Sequence, residues 1–269
     1  MTDALNTRID VVLICGGEWH DFDFARSELL KLLGEDERIR TRVFENYDHA
    51  HAALSDADVL VTFTSNVVAS LDMQQALQTF VEQGGRWFAL HGTNSFVRFL
   101  SPEGADYGSL LVDSPRWAPL MMETLGSQFI AHPPIGSYKV EIEQPDHPLL
   151  KDIEPFETTD ELYLLETHGD LDVLLYAEFE GDAPGFVEDK WPKQKHPVLY
   201  LQTVGAGGIL YFTLGHCRGH YDMVGIADYY PEVERCSWEL PVFYKILRRG
   251  IAWASDPALK KARETLATQ

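Results

Sequence analysis

The chain has 269 residues, of which 45% are hydrophobic and 24% are charged, as in an ordinary folded protein. Its 42 acidic and 22 basic residues give a formal net charge of -20, which would repel nucleic acid and anionic lipid surfaces. No apolar run is long enough to span a bilayer, and residues 1–9 lack the regions of a signal peptide. These features predict a cytoplasmic protein that binds neither nucleic acid nor membranes, and they favour neutral ligands such as sugars.

The first hundred residues alternate between strand-like and helix-like segments. Strands are predicted at 9–15, 39–45, 58–63 and 86–90, and helices at 24–33 and 71–83. Strands that alternate with helices form a parallel sheet with crossover connections on its faces. The pattern therefore predicts an α/β fold with a doubly wound, mostly parallel sheet and helices on both faces.

The second half has a different pattern. Strands are predicted at 138–143 and 173–179, a hairpin at 198–204 and 208–213, a short helix near 118–125 and a final helix at 241–254. These strands predict an additional antiparallel part of the sheet. No linker or change in composition separates the two halves, so residues 1–269 are predicted to form one domain with a core of about 9–254.

Residues 85–96, with the sequence GRWFALHGTNSF, form the most informative local pattern. An apolar strand ends at Leu90, and His91 and Gly92 follow it, before residue types that commonly open helices. This predicts a strand-to-helix elbow at the carboxyl end of a parallel strand, where open α/β sheets bind ligands. An exposed His91 there could bind a metal or transfer a proton, but it could not form an acyl intermediate. The alternative is a capping turn in which His91 only hydrogen-bonds its neighbours.

Two more histidines follow predicted strands. His20 comes shortly after the first strand, and His216 comes after the strand at 208–213. If these loops share one edge of the sheet with His91, the three imidazoles suit Zn²⁺, or Mn²⁺ and related ions when carboxylates and water complete the coordination. The spacing matches no metal-binding motif, so a metal-free hydrogen-bonding pocket is the alternative.

Asp160, Glu161 and Tyr163 place two acids beside an aromatic residue at the start of an apolar run. A buried carboxylate there could have a raised pKa and transfer protons near neutral pH. The alternative is that Asp160 caps a turn and Glu161 pairs with a cation.

The cysteine and glycine patterns argue against disulfide bonds and against a nucleotide cofactor. The three cysteines are widely spaced with no C-x-x-C pair, which predicts reduced thiols, and Cys217 beside His216 is the candidate for a reactive one. Neither G-x-G-x-x-G nor a P-loop is present, so no nucleotide cofactor is expected.

Five motifs in order point to a protein family. They are ALHGTNSF at 89–96, LGSQF at 125–129 with His132-Pro133, His147-Pro148 leading to DELY at 160–163, YFTLGH at 211–216 and RGIAWA at 249–254. Together they resemble the ThuA-like (trehalose utilisation) family, over roughly 9–254. The resemblance implies a flavodoxin-like, class I glutamine-amidotransferase-like fold. Amidotransferases carry a catalytic cysteine at the elbow, and because His91 stands there, glutaminase activity is excluded.

The resemblance also implies a role in disaccharide catabolism, on trehalose-like or 3-keto-sugar intermediates that a partner sugar dehydrogenase produces. We therefore predict an enzyme that isomerises, cleaves by elimination or hydrolyses a disaccharide or keto-sugar derivative. The alternatives are a non-catalytic sugar-binding or regulatory module on the same fold, and an assembly subunit with an exposed apolar patch. The sequence is also compatible with a homo-oligomer.

The predicted site residues fall into three groups. The catalytic group is His91, Glu161 and His132, and His132 is included because it stands in the family's Gly-x-x-Phe-x-x-His-Pro context. The predicted substrate contacts are Trp19, Asp160, Tyr163, Tyr107 and Trp117. The predicted ligands of a divalent metal, Zn or Mn, are His20, His91 and His216. Tyr107 and Trp117 lie in the long segment 99–134, rich in Pro, Gly and Trp, which is typical of the wall or lid of a site. Their rings could stack on a sugar, or could simply pack.

Overall fold

A nine-stranded sheet organises the computed structural model, which describes residues 7–101, 110–256 and 258. The strands in chain order are β1 (Ile9–Gly17), β2 (Ile39–Phe44), β3 (Val59–Ser65), β4 (Arg86–Leu90), β5 (Arg98–Phe99), β6 (Val112–Asp113), β7 (Ser127–Ala131), β8 (Gly136–Ile142), β9 (Phe156–Asp160), β10 (Leu164–Thr167), β11 (Asp172–Asp182), β12 (Lys190–Val204) and β13 (Gly207–Phe212). The order in the large sheet is β2-β1-β3-β4-β13-β12-β11-β8-β9, while β10 pairs with β7 and β5 with β6 in two small sheets.

The large sheet has a parallel part and an antiparallel part. Strands β2, β1, β3, β4 and β13 pair in parallel. Strands β12, β11, β8 and β9 continue the sheet by antiparallel pairing. This confirms the predicted α/β fold with a large parallel sheet and additional antiparallel strands from the second half.

Helices cover both faces of the sheet, as predicted. They are α1 (Phe22–Leu33), α2 (Tyr47–Leu54), α3 (Leu71–Glu82), α4 (Pro119–Leu125) and α5 (Pro241–Ala254). Helices α1 and α5 share one hydrophobic core, and α2, α3 and α4 share the other. Successive residues of β1 alternate between these cores, Leu13 in the first and Ile14 in the second. None of the helices in the described ranges is long and apolar enough to cross a membrane.

Side chains at the helix ends explain where the helices begin. Asp21, Asn46 and Ser70 each accept a hydrogen bond from a backbone N–H in the first turn of α1, α2 and α3. Helix α5 begins with Pro241, whose fixed φ and missing N–H suit a first turn. Because α1 starts directly after the loop that carries His20, its cap also helps to fix that loop.

The cysteines are free, as predicted. Cys15 and Cys217 are both buried. Burial raises the pKa of the Cys217 thiol well above its usual value, so this thiol stays protonated. The expectation of a reactive Cys217 was therefore wrong, because the loop after β13 folds into the core.

His196 is a buried histidine on β12. It is 1% exposed and packs against Trp191 and Phe179. Its Nε2 atom has no hydrogen-bond partner in the described part of the chain. Burial lowers the pKa of His196 to about 4, so the ring is neutral in the folded protein.

We predict that His196 makes the folded protein less stable in acid. The unfolded chain protonates this ring below its usual pKa of 6.5, and the folded protein does so only below about 4. The unfolded state thus binds the extra proton as the pH falls through this range, which lowers the free energy of unfolding by up to about 3 kcal/mol. Urea unfolding of wild type and His196→Leu, at about pH 7 and about pH 4.5, measures this loss.

The variant His196→Leu should lose less stability than wild type between these two pH values. His51→Leu serves as the control, because His51 is exposed on α2 and should leave the pH dependence unchanged. An identical pH dependence in wild type and His196→Leu would contradict the prediction.

Candidate functional site

Three histidines lie together at the carboxyl edge of the parallel strands. His20 follows β1, His91 follows β4 and His216 follows β13. The ring centroid of His20 is 4.9 Å from that of His91 and 5.0 Å from that of His216, and the other two are 5.7 Å apart. The structure thus brings together three rings that are far apart in the chain, because their strands end on one edge of the sheet.

The turn after β4 differs from the predicted elbow. It is a single 3-10 turn, His91–Asn94, and no α-helix follows it. His91 has a φ of 43° and is fully buried, so the expectation of an exposed side chain was wrong. Gly92 lets the turn lie against β3, since a Cβ there would be 2.5 Å from the Thr64 carbonyl oxygen. The Tyr211 hydroxyl donates to the His91 carbonyl oxygen and holds the turn in place.

Hydrogen bonds fix the tautomers of His20 and His91. Nδ1 of His91 lies 2.9 Å from the Thr213 carbonyl oxygen, and Nδ1 of His20 lies 3.1 Å from that of Glu18. Because a carbonyl oxygen only accepts, each Nδ1 carries the proton and each Nε2 has a lone pair. The two Nε2 atoms are 2.9 Å apart. Two lone pairs at this distance repel each other unless a positive charge lies beside them.

An added proton on one of the two rings could supply this positive charge, but burial of His20 and His91 disfavours it. Desolvation lowers the pKa of His91 to about 3 and the pKa of His20 well below its usual value. Both rings are therefore neutral near pH 7, and the contact between the two Nε2 atoms stays electron-rich.

Nδ1 of His216 faces Glu161, beside the rings of His20 and His91. Its Nε2 lies 2.8 Å from Oε2 of Glu234, while its Nδ1 makes no hydrogen bond within the described residues and lies 3.1 Å from Oε1 of Glu161. Burial acts to lower the pKa of His216, but the two carboxylates outweigh it and raise the pKa to about 9. The ring therefore stays protonated unless another positive charge takes its place beside Glu161.

Glu161 lies at the centre of the group. Its Oε2 is 3.5 Å from Nε2 of His91, and its Oε1 is 3.6 Å from Nε2 of His132 and 3.9 Å from Nη2 of Arg218. Burial acts to raise the pKa of Glu161, but the facing His216 and His132 lower it well below its usual value. Glu161 is thus an ionised carboxylate, the opposite of the raised pKa considered for it from the sequence.

Four of these side chains have the donors of a metal site. One ligand atom from each of His20, His91, Glu161 and His216 lies within 4.8 Å of the others, and all four residues are buried. Imidazole nitrogens with a carboxylate oxygen are typical ligands of Zn²⁺ and similar divalent ions. The outer nitrogen of each histidine is bonded to a carbonyl or a carboxylate, as in metal-ligating histidines generally. These residues could hold a divalent cation.

Asp160 supports the site from below. Its carboxylate accepts backbone N–H groups of Gly215, His216 and Ser237 at 3.1, 3.1 and 3.2 Å. Burial raises the pKa of Asp160, although these hydrogen bonds act to lower it. The carboxylate is enclosed and does not line the cavity described next, so its geometry supports the turn-capping alternative rather than the predicted substrate contact.

A cavity of about 440 Å³ opens onto the histidine and carboxylate group. Its polar end is lined by His20, Glu161, Tyr163 and Arg218. The Tyr163 hydroxyl lies 3.2 Å from Nε2 of His91. The predicted substrate contacts Trp19 and Tyr163 both line this cavity.

His132 lies on the cavity wall, next to the four metal-site residues but outside them. Its Nδ1 is 2.7 Å from the Pro133 carbonyl oxygen, so its Nε2 carries the lone pair and faces Glu161. Its side chain is 25% exposed, which leaves it accessible from the cavity. This geometry suits proton transfer to or from a bound molecule.

Two predicted substrate contacts are not found at the site. Trp117 packs against Phe96, is 39% exposed and does not line the cavity. Tyr107 lies outside the described residues.

Two charged residues of the site were missed from the sequence. Nη1 of Arg218 donates to Oε2 of Glu234 at 3.0 Å, and Nε of Arg218 donates to the Trp19 carbonyl oxygen at 3.1 Å. Both residues stand at the base of the loop after β13, where their backbones form a bridge. The available signal was weak: Arg218 is two residues beyond His216, and Glu234 belongs to no motif.

The fold and the site together define an α/β protein with a histidine and carboxylate group at the carboxyl edge of its parallel strands. The family model ThuA, described as trehalose utilisation, matches residues 11–229. The chain belongs to the ThuA family, which confirms the resemblance seen in its motifs and indicates a carbohydrate-related role.

Solved structures agree on the fold. A putative ThuA-like protein from Bacteroides uniformis ATCC 8492 is similar with a TM-score of 0.62 and 16% identity, over 92% of this chain and 91% of that one. Another from Parabacteroides merdae ATCC 43184 has a TM-score of 0.60 and 17% identity, over 93% and 91%. At these identities the likeness shows the fold alone. No curated protein matches the chain.

We predict that Asp160→Asn destabilises the fold. The amide keeps one acceptor oxygen and turns a donor toward backbone N–H groups that the carboxylate now satisfies. The free energy of unfolding, measured with urea, should fall by about 2 to 3 kcal/mol. Asp23→Asn is the control, because that side chain is 94% exposed, and it should change stability by less than about 0.5 kcal/mol. An Asp160→Asn protein as stable as wild type would refute the supporting role.

Proposed function

We propose that the chain is a metal-dependent enzyme of carbohydrate metabolism. In this proposal a divalent cation, Zn²⁺ or Mn²⁺, is held by His20, His91, His216 and Glu161. The observation that carries it is the 2.9 Å contact between the Nε2 atoms of His20 and His91, whose protons are committed to carbonyl oxygens on the other side of each ring. A divalent cation relieves the repulsion between these lone pairs without the proton that burial disfavours.

The proposed substrate is a disaccharide or keto-sugar derivative. The family description, trehalose utilisation, supports a sugar, and the cavity has the size of an ordinary small-molecule site. A keto group acidifies the neighbouring C–H, so a moderate base can remove that proton. A dehydrogenase acting earlier would supply such a group. Isomerisation, elimination and hydrolysis are the reactions that this site is proposed to perform.

The core of the fold fits the same proposal. The order β2-β1-β3-β4-β13 supports the flavodoxin-like, class I glutamine-amidotransferase-like arrangement implied by the motifs. His91 stands at the elbow and cannot act as a thiolate, so the site works by polarisation and proton transfer rather than through an acyl-enzyme.

The residues of the site have different proposed roles. A bound divalent cation would polarise a carbonyl or hydroxyl oxygen of the sugar. His132 would move the proton, because its Nε2 has a lone pair and is accessible from the cavity. His91 and Glu161 would hold the cation. The Tyr163 hydroxyl is placed to bind a substrate oxygen.

We predict that the purified protein contains about one Zn²⁺ or Mn²⁺ ion per chain, measured by mass spectrometry of the metals after dialysis. His91→Ala should lose this ion because it removes one of the inward nitrogens. Glu161→Gln, which keeps the shape of the side chain, should bind the ion at least about tenfold more weakly. His51→Ala, which changes an exposed histidine, should retain it. A metal-free wild type, or full metal content in both site variants, would contradict the proposal.

We predict that His132→Gln lowers kcat by about 100-fold or more on a 3-keto derivative of trehalose, with little change in KM or metal content. The reason is that this variant removes the proton-transfer group but leaves all four metal ligands. His168→Gln is the matched control, since His168 has a similar exposure of 27% and does not line the cavity. Substrate binding without turnover in wild type would instead favour a non-catalytic sugar-binding module.

A further inference from the structure

Two serines line the cavity in addition to the residues described above. Ser65 is the last residue of β3, and Ser95 follows the 3-10 turn His91–Asn94. Both residues are buried, with 3% and 6% of their surface exposed. No group in the described part of the chain hydrogen-bonds either side-chain hydroxyl. Two polar groups at the cavity wall are therefore left for a partner that enters the cavity.

A purely structural role does not explain these two hydroxyls. Alanine is nearly the same size and would fill both positions without a polar group that needs a partner. Other buried hydroxyls near the site are bonded within the protein. That of Thr93 donates to the Leu90 carbonyl oxygen at 2.7 Å, and that of Ser127 lies 2.7 Å from the Tyr200 hydroxyl. A hydroxyl at a cavity wall bonds water in the free protein and can exchange this water for a polar group of a ligand.

Asn66 fixes the two serines next to each other. Its N–H donates to the Ser95 carbonyl oxygen at 3.0 Å, and its Oδ1 accepts the N–H of Val97 at 3.0 Å. Its Nδ2 donates to Oε2 of Glu18 at 2.7 Å, and the N–H of Glu18 donates to the Ser65 carbonyl oxygen at 3.1 Å. The serines are thus held in place before a ligand binds, which lowers the entropy cost of binding.

Trp19, the residue after Glu18, supplies an aromatic surface beside these hydroxyls. Its backbone has a φ of 66°, which a bulky residue rarely adopts. Its carbonyl oxygen accepts from Nε of Arg218 at 3.1 Å, and its ring meets the Phe99 ring edge to face with centroids 5.3 Å apart. A sugar ring carries hydroxyl groups at its rim and C–H groups on its faces. Hydroxyls beside a fixed aromatic ring match both parts of a sugar.

We propose that Ser65, Ser95 and Trp19 form a subsite that binds one sugar ring of the substrate. The serines hydrogen-bond two of its hydroxyl groups, and the Trp19 ring packs against a C–H face. This inference rests on the proposed function, and it deepens that function by assigning the residues that recognise sugar hydroxyls. The two serines are neutral and are not among the four proposed metal ligands, so the subsite is compatible with a bound cation.

Calorimetric titration with trehalose, in the presence of Zn²⁺, measures what the serines contribute. Ser65→Ala and Ser95→Ala should each weaken binding by about fivefold, because each loses one hydrogen bond between neutral groups. Metal content and the urea unfolding curve should stay as in wild type, since neither hydroxyl bonds another described residue. Ser27→Ala is the control, because Ser27 is exposed on α1 and does not line the cavity, and it should bind trehalose like wild type.

Symmetric dideoxy derivatives of trehalose test whether the contact is direct. The 2,2′-, 3,3′-, 4,4′- and 6,6′-dideoxy compounds each lack the same hydroxyl on both rings, so it does not matter which ring enters the subsite. Ser65→Ala should weaken the binding of trehalose but leave the affinity for one of these derivatives nearly unchanged, because the hydroxyl that Ser65 bonds is already absent. Ser95→Ala should show the same behaviour with one derivative.

The outcomes separate the subsite from the proposed function. Trehalose binding that both alanine variants leave unchanged would overturn the subsite and leave the carbohydrate function standing. Equal weakening for trehalose and all four derivatives would overturn the direct contact, as would a loss of metal or of stability in the alanine variants. If neither trehalose nor its 3-keto derivative bound to wild type, the proposed function and the subsite would both be overturned.

Discussion

The contact between the Nε2 atoms of His20 and His91 is the interaction on which the rest of the site depends. Each ring has its proton fixed on the far side by a backbone carbonyl, so neither can rotate its donor inward without breaking a hydrogen bond. Burial keeps both rings neutral. The fold therefore holds two lone pairs close together in a water-poor place, an arrangement that a neighbouring positive charge stabilises.

The surrounding residues hold this arrangement from several elements of the fold. Glu18 and Thr213 supply the two carbonyls at the ends of β1 and β13, and Glu234 supplies the carboxylate that bonds His216. The Asp160 carboxylate accepts the backbone N–H groups of Gly215 and His216 and also that of Glu161, and so ties the loop after β13 to Glu161. Because these supports come from separate parts of the chain, the ligand geometry is set by the sheet as a whole and not by a local motif.

The same dependence explains what the sequence could and could not predict. Helix α5 was predicted with its observed bounds, because Pro241 marks its start and its apolar stripe is local. Strand β7 was missed. It begins with the buried polar residue Ser127, whose hydroxyl is satisfied by hydrogen bonds with Tyr200 and Asn94, which are distant in the chain. His20, His91 and His216 could be predicted as a group, since each follows a recognisable strand. Glu234 could not be predicted as a site residue, because it reaches His216 and Arg218 only when the loop after β13 folds back on itself.

The turn at His91 shows how burial changes the chemistry of an elbow. The residues after the strand favoured a helix, but the Thr93 hydroxyl donates to the Leu90 carbonyl oxygen and the Asn94 amide donates to Ser127, so these side chains join the core rather than cap a helix. A nucleophile at an elbow must be exposed to attack a substrate, whereas a metal ligand must have a fixed lone pair and little competition from water. His91, enclosed and bonded through Nδ1, meets the second requirement. The turn directs the His91 side chain inward, which fits the proposed role of cation ligand.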